Sequence, residues 1–447
     1  MSAYRTAPAA SPDVPPGIPF IIGNEAAERF SFYGMRAILV VFMTQYLLDS
    51  DGAPGVMGEA EAKGWYHLFV SAVYFTPLLG ALLSDVWLGK YRTIILLSVV
   101  YCFGHLALAL DHSRIGLAVG LGLIALGSGG IKPCVSAHVG DQFGATNQHL
   151  LSRVFGWFYF SVNLGAFLSM LATPWLMEVH GPAWAFGVPG VLMLMATLIF
   201  RAGRHRFVHV PPAGKAFLLE VFSAEGLLAL SRLTLIYVFV AMFWALFDQT
   251  GSAWVLQAQH MNRTLFGVEV LPAQIQAANP LLVMVLIPLF AYGVYPFINR
   301  FCTLTELRKI GAGLFVTVLA FAIPTWVQMQ IDSGAAPSIA WQLLAYVVLT
   351  SAEVMVAITC LEFSYTQAPR RMKSFVMAFF MMSIAVGNLF TSAVNFLIGN
   401  PDGSSKLEGA DYYVFFTGLM LFTALLFVVA AKFYRGQIHL QDEMVQV

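Results

Sequence analysis

Residues 20–48 read FIIGNEAAERFSFYGMRAILVVFMTQYLL, an apolar run long enough to cross a bilayer that nevertheless carries Glu25, Glu28, Arg29 and Arg36. A spanning helix needs about 20 largely apolar residues, and an ionisable side chain near the bilayer centre costs at least about 2.5–3.5 kcal/mol on insertion scales. Adjacent Glu28 and Arg29 apart, the charged positions and Tyr33 are separated by three, four or seven residues, the spacing of one helical face. Two carboxylates and two guanidiniums on one stripe cannot face lipid, so the stripe must line an interior path. A structural ion-pair seam would satisfy that spacing. So would a proton and substrate site, in which Glu25 or Glu28 changes protonation beside a fixed arginine charge.

The rest of the chain has the same character. Hydrophobic residues make up 58% and charged residues 11% of its 447 positions, where soluble domains run at about 45–50% and about 25%. Mean hydropathy is +0.74. Continuous apolar runs without strand alternation predict an all-α membrane protein with twelve spans, near 20–48, 64–89, 93–110, 115–138, 152–174, 184–201, 233–258, 278–298, 309–330, 339–363, 374–398 and 412–434. The balance of 24 basic and 24 acidic residues leaves no footprint for nucleic acid. Four dispersed cysteines make neither a disulfide scaffold nor a metal site.

Basic residues set the orientation. With the N-terminus inside, the inner loops and tails hold seventeen Lys/Arg and the outer loops four: Lys63, Arg114, Arg263 and Lys406. Both ends are therefore expected in the cytoplasm. The expected division is a flexible Pro-rich tail at 1–18, six-helix bundles at 19–202 and 233–436, a basic linker at 203–232 with a short surface helix in KAFLLEVFSAEGLLAL, and a second tail at 437–447. Six spans, a central linker and six more suit the major facilitator fold.

Other polar groups fall inside spans. Lys132, in LGSGGIKPCVS, needs an anion, and Glu353 in the tenth span is its natural complement. Asp248 faces an uncertain environment, and Glu362 reads as a snorkelled structural group. His67 opens the second span and suits either a proton relay or an interfacial role; His105 and His138 read as structural. Asn163 and Asn279 need partners for buried amides. Tyr66, Tyr74 and Tyr159 suit a polar ligand or ordinary packing. SDVWLGKYR, residues 84–92, is expected to fasten the inner ends of helices.

The segment Glu25-x-x-Glu28-Arg29-Phe30-Ser31-Phe32-Tyr33-Gly34 resembles the first-helix motif of proton-coupled oligopeptide transporters, a branch of the major facilitator superfamily. GGIKPCVSAHVGDQF (129–143), FYFSVNLGAF (158–167), FWALFDQTGSAW (243–254) and LEFSYTQAP (361–369) are similar to further blocks of that family, in order across both halves. The resemblance implies a symporter importing di- and tripeptides by alternating access. Arg29 and Lys132 would receive the peptide carboxylate, and Glu353, Asn163 and Asn279 its amino group. Tyr33, Tyr74, Tyr159 and Trp254 would line the pocket, with Arg36 in the cavity or at its outer gate. Glu25, Glu28, Arg29, His67 and Glu353 would couple protons to transport.

The chain departs from the family pattern at Phe32, which removes a tyrosine hydroxyl, and at Phe380, where many relatives carry tryptophan. Ala253 and Ala291 stand where mammalian members place an ion-pair gate. The implied coupling ion is the proton, with no cofactor or metal; the partners are di- and tripeptides, protons and the bilayer, and a monomer suffices. The implied location is a bacterial inner membrane. A same-fold carrier of another small anion or metabolite, such as nitrate, remains the alternative. An enzyme is disfavoured, since no zinc motif, nucleophile elbow or phosphate loop is found.

Overall fold

A computed structural model describes residues 4–49, 51–212, 214, 223–367, 373–400 and 403–434. The chain is helical throughout its apolar runs. The spanning helices are α1 (Ile18–Gln45), α2 (Glu59–Leu82), α3 (Lys90–Leu110), α4 (Arg114–Asp141), α5 (Leu151–His180), α6 (Pro182–Ala202), α7 (Ala224–Phe247), α8 (Ala278–Leu289), α9 (Glu306–Asp332), α10 (Ala340–Glu353), α11 (Lys373–Ile398) and α12 (Ala410–Phe433). Among the described residues, eleven helical segments are long and apolar enough to cross a membrane. α1 is as long but carries four charged residues, Glu25, Glu28, Arg29 and Arg36.

α1 packs on α5 and α6, α4 on α2 and α3, and α3 on α6; in the second set, α9 packs on α10 and α12, and α11 on α7. One large apolar core is built mainly from residues 18–207 and another mainly from 233–427. Backbones approach closely at small residues: a Cβ on Gly80 of α2 would strike the Gly130 carbonyl of α4, and one on Gly387 of α11 would strike the Ala241 carbonyl of α7. Large apolar side chains such as Leu110, Ile115, Leu397 and Phe433 stay outside, as a lipid-facing surface requires.

Irregular turns interrupt the spans of α7, α8 and α10. α7 ends in a 3-10 turn, Asp248–Gly251, and restarts as Ala253–Gln259. The freed carbonyls find side-chain donors: Tyr346 Oη donates to Thr250 (3.3 Å), Tyr413 Oη to Ala253 (2.9 Å) and Gln342 Nε2 to Trp254 (2.9 Å). α8 continues through a π-turn, Phe290–Val294, and α10 through another, Val354–Ile358, directly after Glu353. Such turns re-aim side chains out of the regular helical register.

Two expectations need correction. The N-terminal tail is ordered from Tyr4: it bridges Val208 at Arg5, stacks Tyr4 on His209, and receives hydrogen bonds from Thr146 and Asn147. The surface helix expected within 215–230 falls largely outside the described residues, and from Ala224 the chain is already part of α7. One hairpin, Thr264–Leu265 with Val268–Glu269, turns at Phe266 and Gly267 with positive φ and lies on the face opposite the tail. These two faces are called the tail face and the hairpin face below. The SDVWLGKYR segment forms a π-turn, Leu83–Leu88, and Lys90 bridges to Asp141 of α4 at 2.7 Å.

Candidate functional site

The α1 stripe is buried and largely self-paired. Arg29 Nε lies 2.7 Å from Glu25 and 3.2 Å from Glu28, and Ser128 of α4 donates to Glu28 at 2.8 Å. Both carboxylates keep one oxygen without a hydrogen bond. Helical spacing accounts for this arrangement: the side chains at 25, 28, 29 and 36 project between α4 and the second helix set.

Lys132 does not meet Glu353. Its ammonium is buried between the rings of Phe32 (4.0 Å) and Tyr74 (4.4 Å), and it makes no hydrogen bond. Pi faces attract the cation without neutralising it, so Lys132 remains open to an incoming anion. Phe32 thus supplies an aromatic face to this ammonium.

Glu353 receives a hydrogen bond from Asn279 Nδ2 at 2.7 Å, and Asn279 also donates to Thr350 at 3.2 Å. Asn279 therefore belongs to the carboxylate's own helix set. Asn163 donates back to Tyr159 in its own helix at 2.9 Å. The first helix set thus holds a buried ammonium without a hydrogen bond, Lys132, and the second a partly buried carboxylate with an amide donor, Glu353.

Arg36 is committed elsewhere. It forms a close ion pair with Asp248 of the second set and donates to Tyr66 Oη at 2.7 Å. The other Asp248 oxygen accepts from Asn388 Nδ2 (2.6 Å), the Asn388 carbonyl contacts His67 Nδ1 (2.7 Å), and His67 Nε2 contacts Ser252 (2.9 Å). His67 is fully buried here, not interfacial. Further links between the two sets join Ser392 to Gly64, Gln276 to Ala37 and Gln274 to Leu171. All of these link the two helix sets toward the hairpin-face ends of their helices.

Trp254 does not line a pocket. It is wholly buried in the second core against Phe321 and Tyr346. Sequence reasoning missed Asn388 and Ser252 and left Asp248 unassigned; a polar residue inside an apolar span was the only signal they offered. Among the described residues no cluster of three or more metal-ligating side chains occurs.

The model for the POT family matches residues 91–229 and 223–410. The chain belongs to the POT family. Human solute carrier family 15 member 2 is 38% identical over 374 residues, covering 72% of this chain and 50% of the relative. The chain spans about half the length of the curated relatives it matches. The in meso crystal structure of the POT family transporter PepTSo superposes with a TM-score of 0.85 at 37% identity, covering 95% of this chain and 99% of that one. A peptide transporter POT in complex with alafosfalin gives a TM-score of 0.79 at 25% identity, over 94% of each chain. This POT family chain is therefore a multi-pass membrane protein of the major facilitator fold.

Proposed function

We propose that this POT family chain is a proton-coupled symporter that carries di- and tripeptides by alternating access. The observation that carries the reading is a buried ammonium without a hydrogen bond, Lys132, on one helix set and a carboxylate held by Asn279, Glu353, on the other. A zwitterionic peptide presents opposite charges at a fixed separation. Lys132, without a hydrogen bond between two rings, attracts its carboxylate together with Arg29, and Glu353, held by Asn279, attracts its amino group together with Asn163. Tyr33, Tyr74 and Tyr159 wall the space, and recognition of termini leaves side chains free to vary.

Coupling follows from the Glu25–Glu28–Arg29 pairing. While both carboxylates are ionised, Arg29 is neutralised; protonating one frees the guanidinium for the substrate. Arg36, Asp248, Asn388 and His67 hold the hairpin face closed, and His67 gives a proton arriving there a first acceptor. Residues 19–202 and 233–436 move as two bodies about the site. The excess of basic residues in tail-face segments supports a cytoplasmic location for both termini, in a bacterial inner membrane. One chain holds every group used, so a monomer suffices.

Reconstituted protein tests the reading. Under an inward proton gradient, wild type should concentrate labelled dialanine, whereas Glu25→Gln should equilibrate it without concentrating it. Full concentrative uptake by Glu25→Gln would overturn the coupling assignment.

A further inference from the structure

A cavity of about 510 Å³ opens on the hairpin face, apart from the central charges. The first helix set contributes the Glu59, Ala60 and Lys63 face of α2; the rest comes from the ends of α7, α9 and α12 and the connection 403–409. Lys63 is the telling residue. It is 7% exposed, takes part in no salt bridge or hydrogen bond among the described residues, and rests its ammonium 3.9 Å from the ring centre of Tyr412. That ring is held in place, because its hydroxyl accepts from Asn395 Nδ2 at 3.2 Å. An aromatic face is a partial substitute for water around an ammonium, so a cation on this cavity wall favours an anion beside it.

Among the described residues, none of the neighbouring acids pairs with it. Asp332 is occupied on both oxygens: Gln328 Nε2 donates to one (2.9 Å), and the backbone of Ala410, at the start of α12, donates to the other (2.8 Å). Glu59 and Glu408 are exposed. The cavity thus has a cation on an aromatic floor and two carboxyl groups, of Glu59 and Glu408, among its solvent-exposed residues. Its walls are built: Gly399 bridges Ser405, and Lys406 Nζ donates to the Leu397 carbonyl at 2.8 Å. The size suits a small ligand.

We propose that this cavity is a second binding site, for a small zwitterionic peptide whose carboxylate sits on Lys63 and whose ammonium faces Glu59 and Glu408. Because α2 supplies the cation and the other helix set the floor, the site is complete only while the hairpin face is closed. An occupant therefore bridges the two sets and holds them together. Peptide at high concentration on that face slows its own uptake.

Calorimetry on the full-length protein in lipid nanodiscs tests this, with dialanine as probe. Wild type should show two classes of site, and Glu353→Gln should lose the tighter and keep the weaker. The weaker should disappear in Lys63→Gln, persist in Lys63→Arg, weaken at least threefold in Glu408→Gln, and be absent for dialanine amide. In proteoliposomes Lys63→Gln should match wild type at low dialanine and lose the inhibition at high dialanine. An unchanged weaker site in both Lys63→Gln and Glu408→Gln, or equal binding of dialanine amide, would overturn the proposal. Failure of the central-site reading would instead remove the Glu353-dependent class and leave this one in place.

Discussion

Asp248→Asn probes what holds the hairpin face shut. Arg36 is 8% exposed and Asp248 2%, and the pair spans the two helix sets. Removing one partner of a buried ion pair costs about 3–5 kcal/mol, because the remaining charge stays desolvated. The cost falls on the closed form alone, since opening hydrates Arg36. At about 1.36 kcal/mol per tenfold, even the lower figure shifts the equilibrium roughly 10²-fold, enough to bring a 99:1 closed population to near parity. Val56 and Val268 are exposed and lie on different sets at the hairpin face, so spin labels there report the opening. The background should carry Cys102→Ser and Cys302→Ser, leaving buried Cys134 and Cys360 in place. Electron–electron distance measurements should show a longer-distance population rising from a trace to about half. Adding Arg36→Gln should recover part of the loss, since no stranded cation remains. A distance distribution that Asp248→Asn leaves unchanged would refute the reasoning.

Three further outcomes follow from the same geometry. Trp254→Ala should cost about 3–5 kcal/mol of stability, read as a lowered Tm, while the folded fraction binds dialanine as wild type does. Gly80→Val should fail to assemble, because the new side chain meets the Gly130 backbone; loss of monodisperse protein on size-exclusion chromatography is the readout. Because a carboxylate must be protonated for the coupled step, uptake by wild type should fall as the outside pH is raised at constant inside pH. Glu25→Gln should flatten that profile.

Much of the fold was legible because apolar length and charge placement report burial directly. α1 was recognisable as a span despite its charges, since their spacing put them on one face. The central charges could also be located along the chain, but their pairing could not. Lys132 and Glu353 have complementary charges, yet two aromatic rings occupy the lysine's surroundings and Asn279 serves the glutamate. Arg36 and Asp248 are separated by 212 positions, and His67 and Asn388 by 321; contacts of that kind leave no local periodicity. Trp254 was misplaced because a motif identifies a residue without saying which way its helix turns it. The break after Phe247 decides that direction, and it depends on donors from α10 and α12. The tail was read as flexible from its prolines, although its contacts lie with loops far along the chain.

End-blocked dipeptides test the central claim most directly. Competition against labelled dialanine should be measured for N-acetyl-dialanine and dialanine amide in wild type, Lys132→Gln and Glu353→Gln. The account predicts that wild type disfavours both analogues, that Lys132→Gln loses its discrimination against the amide alone, and that Glu353→Gln loses its discrimination against the acetylated form alone. Equal loss of both discriminations in either variant, or wild-type discrimination in Glu353→Gln, would contradict a site that reads the two peptide ends with opposite helix sets.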